Sequence, residues 1–187
     1  MVEALDLSHH LLIAMPALAD DNFRHSVTYI CEHGEHGALG VVVNRPLTVT
    51  LGDLLAQVGL QPASDVIAGQ PVYGGGPVQP NACLILHRPL GQWNSSLPVT
   101  DEIGLTGSLD LLTAIARGEG PDDFLVCLGY AGWGAGQLEQ ELADNAWLTA
   151  PARLDVLFEL PVKRRWRAAA ASIGVDLDLL PHRAGHA

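Results

Sequence analysis

One stretch of the chain restricts its possible folds more than any other: residues 124–148, with the sequence FLVCLGYAGWGAGQLEQELADNAWL. Its first part, Phe124–Leu128, is a continuous apolar run of strand length. Such a run is typical of a strand covered on both faces, because a strand with one face in water alternates polar and apolar residues. We therefore predict a central strand here.

Glycines and then a helical pattern follow this strand directly. Four glycines within residues 129–136, together with the rings of Tyr130 and Trp133, predict a tight turn, and a helix is predicted from about Ala135 to Trp147. A strand that leads through glycines to a helix N-terminus can hold a phosphate, but a Walker loop needs Lys after its last glycine, and here Gln137 follows. Glu139 stands where the third glycine of a dinucleotide-binding motif would be, so a structural turn is favoured.

A β-hairpin is predicted earlier in the chain. Residues 26–33 alternate between two faces, residues 38–43 are apolar, and a glycine-containing loop joins them. His33 and His36 lie at the predicted tip, but two imidazoles in an exposed loop without a third ligand make a poor metal site. We predict no bound metal and no other cofactor.

Asn44 and Arg45 follow the second strand of this hairpin, and Pro46 ends its pairing. Arg45 is far in sequence from the other basic residues. Its guanidinium offers a forked donor that suits a carboxylate or a phosphate, and it suits backbone carbonyls inside the fold equally well. Both roles remain open, with the structural one favoured.

Three successive glycines form a second glycine cluster, at Gly74, Gly75 and Gly76. Ordering three glycines costs considerable chain entropy, so such a cluster indicates unusual backbone angles or the close approach of another segment, either protein or ligand. With Asn44–Arg45 and the ring-lined turn, it suggests one surface. The hypothetical ligand- or partner-binding residues are Asn44, Arg45, Gly74, Gly75, Gly76, Tyr130, Trp133 and Gln137.

The remaining apolar patterns predict further helices and strands. Thr50–Val58 is predicted to be a helix with Thr50 as its cap and Asp53 at the capping-box position. The other predicted elements are strands at 10–15, 82–87 and 97–100 and helices at 106–117 and 161–173. The 187 residues are predicted to form a single domain (1–187) whose ends, 1–8 and 181–187, are frayed.

The charge of the chain restricts its partners. A formal net charge of −11 repels nucleic acid and anionic membranes, so direct nucleic-acid binding would need a local basic patch. Residues 163–167, KRRWR, form one such cluster on a predicted helix, and we interpret it as a solvated helix face paired with nearby carboxylates.

Cysteine usage and the N-terminus predict a cytoplasmic protein. Three cysteines without a C-x-x-C spacing lie in apolar segments, which is typical of buried thiols in a reducing compartment. Acidic residues occupy the N-terminal region where a secretory signal would be basic, and no membrane span is visible. The sequence also contains no G-x-S-x-G or H-E-x-x-H motif, so no strong catalytic constellation is present.

Four segments together resemble the YqgE/AlgH proteins, an uncharacterised bacterial family. They are LLIAMP (11–16), SVTYICEHGEHGALGVVVNRP (26–46), YGGGPV (73–78) and LGYAGWGAGQLEQELADNAWL (128–148). The resemblance implies an α+β fold in which a mixed, bent β-sheet forms a partial barrel flanked by helices. It also implies a cytosolic bacterial protein, described in the family as a putative transcriptional regulator, without catalytic residues to carry over.

Two functions follow as hypotheses. The first is a non-enzymatic cytoplasmic binding or regulatory protein, acting indirectly on transcription through an unknown protein partner or a small ligand near the glycine turn and Asn44–Arg45. The alternative is an enzyme that acts on a small anionic substrate in a pocket formed by Asn44, Arg45, Tyr130 and either His33 or His36. That pocket requires these side chains to converge.

Overall fold

The computed structural model describes residues 4–182, and within that range the chain forms ten strands and five helices. The strands are β1 (His10–Ala14), β2 (Val27–Gly34), β3 (Gly37–Val42), β4 (Pro46–Thr50), β5 (Pro71–Gly74), β6 (Val78–Arg88), β7 (Ser96–Pro98), β8 (Gly104–Thr106), β9 (Asp123–Gly134) and β10 (Trp147–Pro151). The helices are α1 (Leu51–Gln57), α2 (Asp65–Ala68), α3 (Leu109–Ala116), α4 (Gln137–Ala143) and α5 (Val162–Ala171), with a π-helical turn at Asp155–Glu159 and a 3₁₀ turn at Leu177–Leu179.

The strands form one curled sheet. Its order is β10-β1-β2-β3-β9-β6-β8-β7, and β4 and β5 join it because β5 pairs with β9. All pairings are antiparallel except that of β5 with β9, which is parallel. The sheet curls into a half-barrel with helices against it, which confirms the predicted α+β class and the mixed, bent sheet.

The central position of β9 is also confirmed. Its first half pairs with β5 and β6 and its second half pairs with β3. Leu125 and Cys127 belong to the core cluster that α5 covers, whereas Val126 belongs to the cluster under α1 and α3. The continuous apolar run therefore has its predicted cause, because both faces of the strand are buried.

The predicted glycine turn, in contrast, is wrong. The strand continues to Gly134, and the chain reverses only at residues 135–136. Gly129 has φ +76°, and a Cβ there would lie 2.4 Å from the carbonyl oxygen of Gly76. The glycines allow another segment to approach β9 closely instead of turning the chain.

That approaching segment is the second glycine cluster. The amide N–H of Gly75 donates to the carbonyl of Leu128 (2.8 Å), and its own carbonyl accepts from Val42 (2.9 Å). A Cβ on Gly75 would lie 2.3 Å from the carbonyl oxygen of Gly129. Of the two alternatives that the sequence left open, the structure shows protein backbone against this cluster.

Two further predictions need correction, one for the end of α4 and one for the N-terminal residues. Helix α4 ends at Ala143, and Trp147 lies in β10, because residues 147–151 pair with β1 along its whole length. Fraying of residues 1–8 does not hold for Leu7, which is 3% exposed and whose amide N–H donates to His33. Most of the predicted C-terminal tail, residues 183–187, lies outside the described residues.

The hairpin prediction is confirmed by β2 and β3, which pair directly. Helix α5 packs on β1, β2 and β10, so its N-terminus lies close to the ends of the strands that the hairpin supplies. None of the helices within residues 4–182 combines the length and the apolar character that a bilayer crossing needs.

Candidate functional site

An open cleft forms where three segments of the chain meet. They are the loop between β1 and β2, the junction of β3 with β4, and the first turns of α5. Its volume is about 380 Å³. We call it the basic cleft, and its lining residues are Arg24, His25, Asn44, Arg45, Pro46, Val162, Lys163, Trp166 and Arg167.

Asn44 holds the β1–β2 loop to the sheet. Its Oδ1 accepts the amide N–H of Val27 (2.9 Å), and its Nδ2 donates to the carbonyl of His25 (2.9 Å). An amide side chain is suited to this task, because it offers an acceptor and a donor at once. Asn44 therefore positions His25, two residues before the start of β2.

Arg45 holds the same loop from a second point. Its Nη2 donates to the carbonyl of Arg24 (2.8 Å), and its Nη1 donates to the carbonyl of Asn22. Partial burial lowers the pKa of Arg45, while Asp20 and Asp21 act in the opposite direction. Of the two roles that the sequence left open, the geometry shows carbonyl capping, and the guanidinium adds its charge to the cleft.

His25 presents its ring at the cleft. The backbone has φ +54°, an uncommon conformation for a residue with a side chain, which Asn44 and Arg45 stabilise by fixing the carbonyls of this loop. The imidazole stacks on the indole of Trp166 with ring centroids 4.2 Å apart and an interplanar angle of 18°. Trp166 is itself fixed, because its Nε1–H donates to the carbonyl of Ala14 (2.9 Å).

The charges around the cleft are positive and mostly unpaired. Within residues 4–182, neither Arg24 nor Lys163 has a carboxylate oxygen within 4 Å, whereas Arg167 pairs with Asp178 (2.8 Å). Partial burial, followed by the charges of Arg24 and Arg167, lowers the pKa of His25. The neighbouring cations give the cleft a positive electrostatic environment.

The N-terminus of α5 adds to this environment. Helix α5 begins at Val162 after Pro161, has no side-chain cap, and carries no acidic residue in its first turn. The free amide N–H groups and the helix dipole favour an anion at such an end. The cationic Lys163 stands there instead, so residues 4–182 place no acidic side chain in the first turn of α5 to act as the anion that this end favours.

Arg165 corrects our interpretation of the basic cluster as a solvated face. Its side chain is buried (4% exposed) and donates to the carbonyls of Leu160 (3.0 Å) and Val43 (2.6 Å), with the guanidinium 5.5 Å from the centre of the Tyr73 ring. Backbone carbonyls and an aromatic face, not carboxylates, stabilise this charge. Arg165 anchors α5 to the sheet and does not face the cleft.

Other predicted site residues lie elsewhere. Gly74, Gly75, Gly76 and Tyr130 lie where β5 and β6 cross β9. Trp133 and Gln137 line a separate pocket of about 220 Å³, which we call the indole pocket; its other lining residues are Leu18, Asp20, Phe23, Gly132, Glu141, Ala146 and Trp147.

The indole pocket satisfies its own polar groups. Oε2 of Glu141 accepts the indole N–H of both Trp133 (2.9 Å) and Trp147 (2.8 Å), and Oε1 accepts the side-chain amide of Gln137 (3.1 Å). The three aromatic rings pack at centroid distances of 5.4–6.3 Å, the usual range for a core contact. These side chains stabilise the junction of β9, α4 and β10.

The hairpin histidines have separate surroundings. His33 lies in β2, and its side chain is 1% exposed; Nδ1 accepts the N–H of Leu7 (3.0 Å), so Nε2 carries the proton that it donates to Glu139 (2.6 Å). Both nitrogens are in use, which leaves no lone pair for a general base. His36 is exposed beside Glu35, and residues 4–182 contain no group of three or more His, Cys, Asp or Glu that could hold a metal ion.

The convergent pocket required by the enzyme alternative is therefore not formed. Asn44 and Arg45 line the basic cleft, His33 and His36 line a pocket of about 410 Å³ at the hairpin end, and Tyr130 lines neither.

Sequence reasoning did not find Arg24, His25 and Trp166 as site residues. The available signal was the KRRWR cluster, whose position opposite the β1–β2 loop depends on how α5 packs.

The fold and the cleft define an α+β protein with a curled half-barrel sheet and a basic cleft between the β1–β2 loop and the start of α5. Residues 11–178 match the model of the DUF179 family, described as AlgH-like. The chain belongs to this family. It is 56% identical over 188 residues to a UPF0301 protein of Thioalkalivibrio sulfidiphilus, covering 100% of both chains, and 51% identical to one of Nitrosococcus oceani, covering 96% of both.

Two solved structures share the fold. The solution structure of the AlgH protein from Pseudomonas aeruginosa is 48% identical, with a TM-score of 0.80 and coverage of 100% of this chain and 99% of that one. A crystal structure of a protein from Corynebacterium diphtheriae matches with a TM-score of 0.74 over 96% of this chain and 93% of that one. At 20% identity, this second likeness concerns the fold alone.

Proposed function

We propose that this chain is a non-enzymatic binding protein that takes an anionic group, of a small ligand or a protein partner, in the basic cleft. One observation carries the proposal: in a chain of net charge −11, Arg24 and Lys163 stand unpaired within residues 4–182 beside an uncapped helix N-terminus. Clustering like charges is unfavourable unless an opposite charge joins them. A bound anion provides that charge.

The surroundings of the cleft support binding without chemistry. Asn44 and Arg45 donate to or accept from backbone groups, and His25, the one histidine lining the cleft within residues 4–182, stacks on an indole. Cys127 and Cys83 do not supply a nucleophile either, because burial raises the pKa of the Cys127 thiol to about 12 and that of the Cys83 thiol to about 11. These features favour recognition over catalysis.

We further propose a cytoplasmic and regulatory role, in which occupancy of the cleft controls a partner and any effect on transcription is indirect. The three free cysteines, two of them buried, support a reducing compartment. The acidic surface supports an indirect role, because it repels duplex DNA outside the cleft.

Titration with inorganic phosphate, followed by amide chemical shifts, tests the proposal. We expect saturable shifts in Arg24, His25, Val162 and Lys163, and a Lys163→Gln variant should bind phosphate about tenfold more weakly, the loss of one charge-assisted hydrogen bond. Arg164→Gln is the matched control, since Arg164 is an exposed neighbour on α5 that does not line the cleft.

Equal losses in both variants would show that only net charge matters and would contradict a specific cleft. Shifts spread over the whole surface would contradict it as well. Duplex DNA that binds at physiological salt would replace this proposal with direct nucleic-acid recognition.

A further inference from the structure

We propose that the ligand of the basic cleft is a phosphate ester that carries an aromatic ring, the chemistry of a nucleotide, with its ring on His25 and its phosphate near Arg24, Lys163 and the start of α5. This inference rests on the proposed function, because it assigns a ligand class to the same cleft. It draws on a different observation, the stacked pair of His25 and Trp166.

The stacked pair forms a platform. Trp166 is buried and lies against one face of the imidazole, while His25 as a whole is exposed and lines the cleft, so we assign the second ring face to the ligand. Within residues 4–182 the ring nitrogens of His25 make no hydrogen bond, in contrast to those of His33. An open aromatic face beside cationic side chains is the usual arrangement for binding a nucleobase and its phosphate together.

The platform is fixed before a ligand arrives. Asn44 holds the carbonyl of His25, Arg45 holds that of Arg24, and the indole of Trp166 is bonded to Ala14. The left-handed backbone of His25 is a strained conformation that these contacts maintain. Preorganisation of this kind reduces the ordering cost of binding.

Size and charge agree with this assignment. The cleft volume of about 380 Å³ falls among the volumes of small-molecule pockets, from about 300 Å³ upwards, and a bare phosphate would leave most of it empty. Partial burial and the nearby cations lower the pKa of His25, so the neutral imidazole predominates at pH 7 and stacks without adding a charge.

Three probes separate the parts of the ligand: adenosine 5′-monophosphate, ribose 5-phosphate without the base, and adenosine without the phosphate. Calorimetry on the full chain should show adenosine 5′-monophosphate binding about tenfold more tightly than ribose 5-phosphate, the contribution of one stacked base. Adenosine should bind more weakly than either. Ring resonances of His25 and Trp166 should shift further with adenosine 5′-monophosphate than with ribose 5-phosphate, whose phosphate acts on the imidazole only through its charge.

His25→Asn is the decisive variant, because Asn tolerates the left-handed backbone and lacks the aromatic ring. In this variant adenosine 5′-monophosphate should lose its tenfold advantage, so that it binds no more tightly than ribose 5-phosphate. A circular dichroism spectrum and melting curve like those of the wild type confirm that the variant is folded.

The outcomes distinguish this inference from the proposed function. If ribose 5-phosphate binds and Lys163→Gln weakens it, but the base adds nothing, the nucleotide inference is overturned and the anion site stands. If the preference for the base survives in His25→Asn, the inference is overturned too, since the base then stacks elsewhere. If neither phosphate probe nor inorganic phosphate binds, the proposed function itself is overturned.

Discussion

The basic cleft and the indole pocket both place aromatic rings beside charged side chains, but they differ in whether those side chains have partners within the described residues. In the indole pocket, the carboxylate of Glu141 accepts two indole N–H groups and one amide, so its charge is shared inside the protein. In the cleft, Arg24 and Lys163 have no carboxylate partner among residues 4–182. An ionic group whose partners are internal stabilises the fold, and one without partners is available to a ligand.

Two histidines repeat this contrast. The side chain of His33, in the pocket at the hairpin end, uses both ring nitrogens and is hidden from solvent, with Leu7 and Glu139 as partners. His25 uses its ring face on Trp166 and leaves its nitrogens without a hydrogen bond to residues 4–182. Residue type alone therefore does not mark a site, because Trp and charged residues line both the cleft and the indole pocket, and histidines line the cleft and the hairpin-end pocket.

The largest expected effect is the loss of stability in Glu141→Ala. Removing the carboxylate leaves the indole N–H groups of Trp133 and Trp147 without their acceptor, at about 1–2 kcal/mol each. Urea denaturation should show a free energy of unfolding lower by about 2–4 kcal/mol, with phosphate binding unchanged. Glu141→Gln, which keeps an acceptor oxygen, should lose less; equal losses in the two variants would contradict the assigned role.

Asn44→Ala should affect both properties. The variant leaves the amide of Val27 unpaired and frees the carbonyl of His25, at a cost of about 2 kcal/mol in unfolding free energy. Because the β1–β2 loop loses one of its two holding points, phosphate affinity should also fall, by about fivefold. A stability loss with intact binding would show that Asn44 does not position the cleft.

Arg24→Gln and Lys163→Gln should leave the stability almost unchanged, in contrast to Glu141→Ala. Removing charge from the cleft should change the free energy of unfolding by no more than about 0.5 kcal/mol, since neither side chain has an ionic partner within the described residues. Urea denaturation, which measures the free energy of unfolding of Glu141→Ala, measures it for these two variants as well. A loss above about 1 kcal/mol in either variant would indicate an internal role and remove the distinction between the regions.

The smallest expected effect is a pH dependence from His25. Its folded pKa lies below the ordinary 6.5, so the unfolded chain binds more protons in the window below pH 6.5, and the His25 contribution to stability is lost as the pH falls through it. A bound anion opposes the repulsion from Arg24, Arg45, Arg167 and His182 and raises this pKa.

Sulfate keeps a constant charge in this range and is therefore the suitable probe. Its affinity should rise modestly between about pH 7 and about pH 6, where an ordinary histidine titrates, and the rise should disappear in His25→Asn. An equal rise in both proteins would assign the effect to other histidines.

Local patterns in the sequence predicted a large part of the fold. The capping box of α1 forms as predicted, with Thr50 and Asp53 each accepting the other's backbone N–H, because its two members are three residues apart. The β2–β3 hairpin also follows from adjacent segments. The short strand β8 escaped prediction, since three residues, 104–106, give too little periodicity.

The glycine-rich segment at residues 129–134 was not predicted correctly from local sequence patterns. Residues 129–134 carry the composition of a turn, yet they continue β9, because the backbone of Gly75 and Gly76 approaches them from about fifty residues earlier in the chain. Composition identified an unusual backbone, and only the pairing of distant strands decided its form.

The candidate site divides in the same way. The sequence by itself determined that Asn44 and Arg45 end a buried strand, that a basic cluster lies at the start of α5, and that the chain belongs with the family its motifs resemble. Only the tertiary structure decided that Arg165 is buried, that Trp133 and Gln137 lie in another pocket, and that His25 stacks on Trp166. Periodicity fixes which side of an element a residue occupies, whereas packing between distant elements fixes what that side faces.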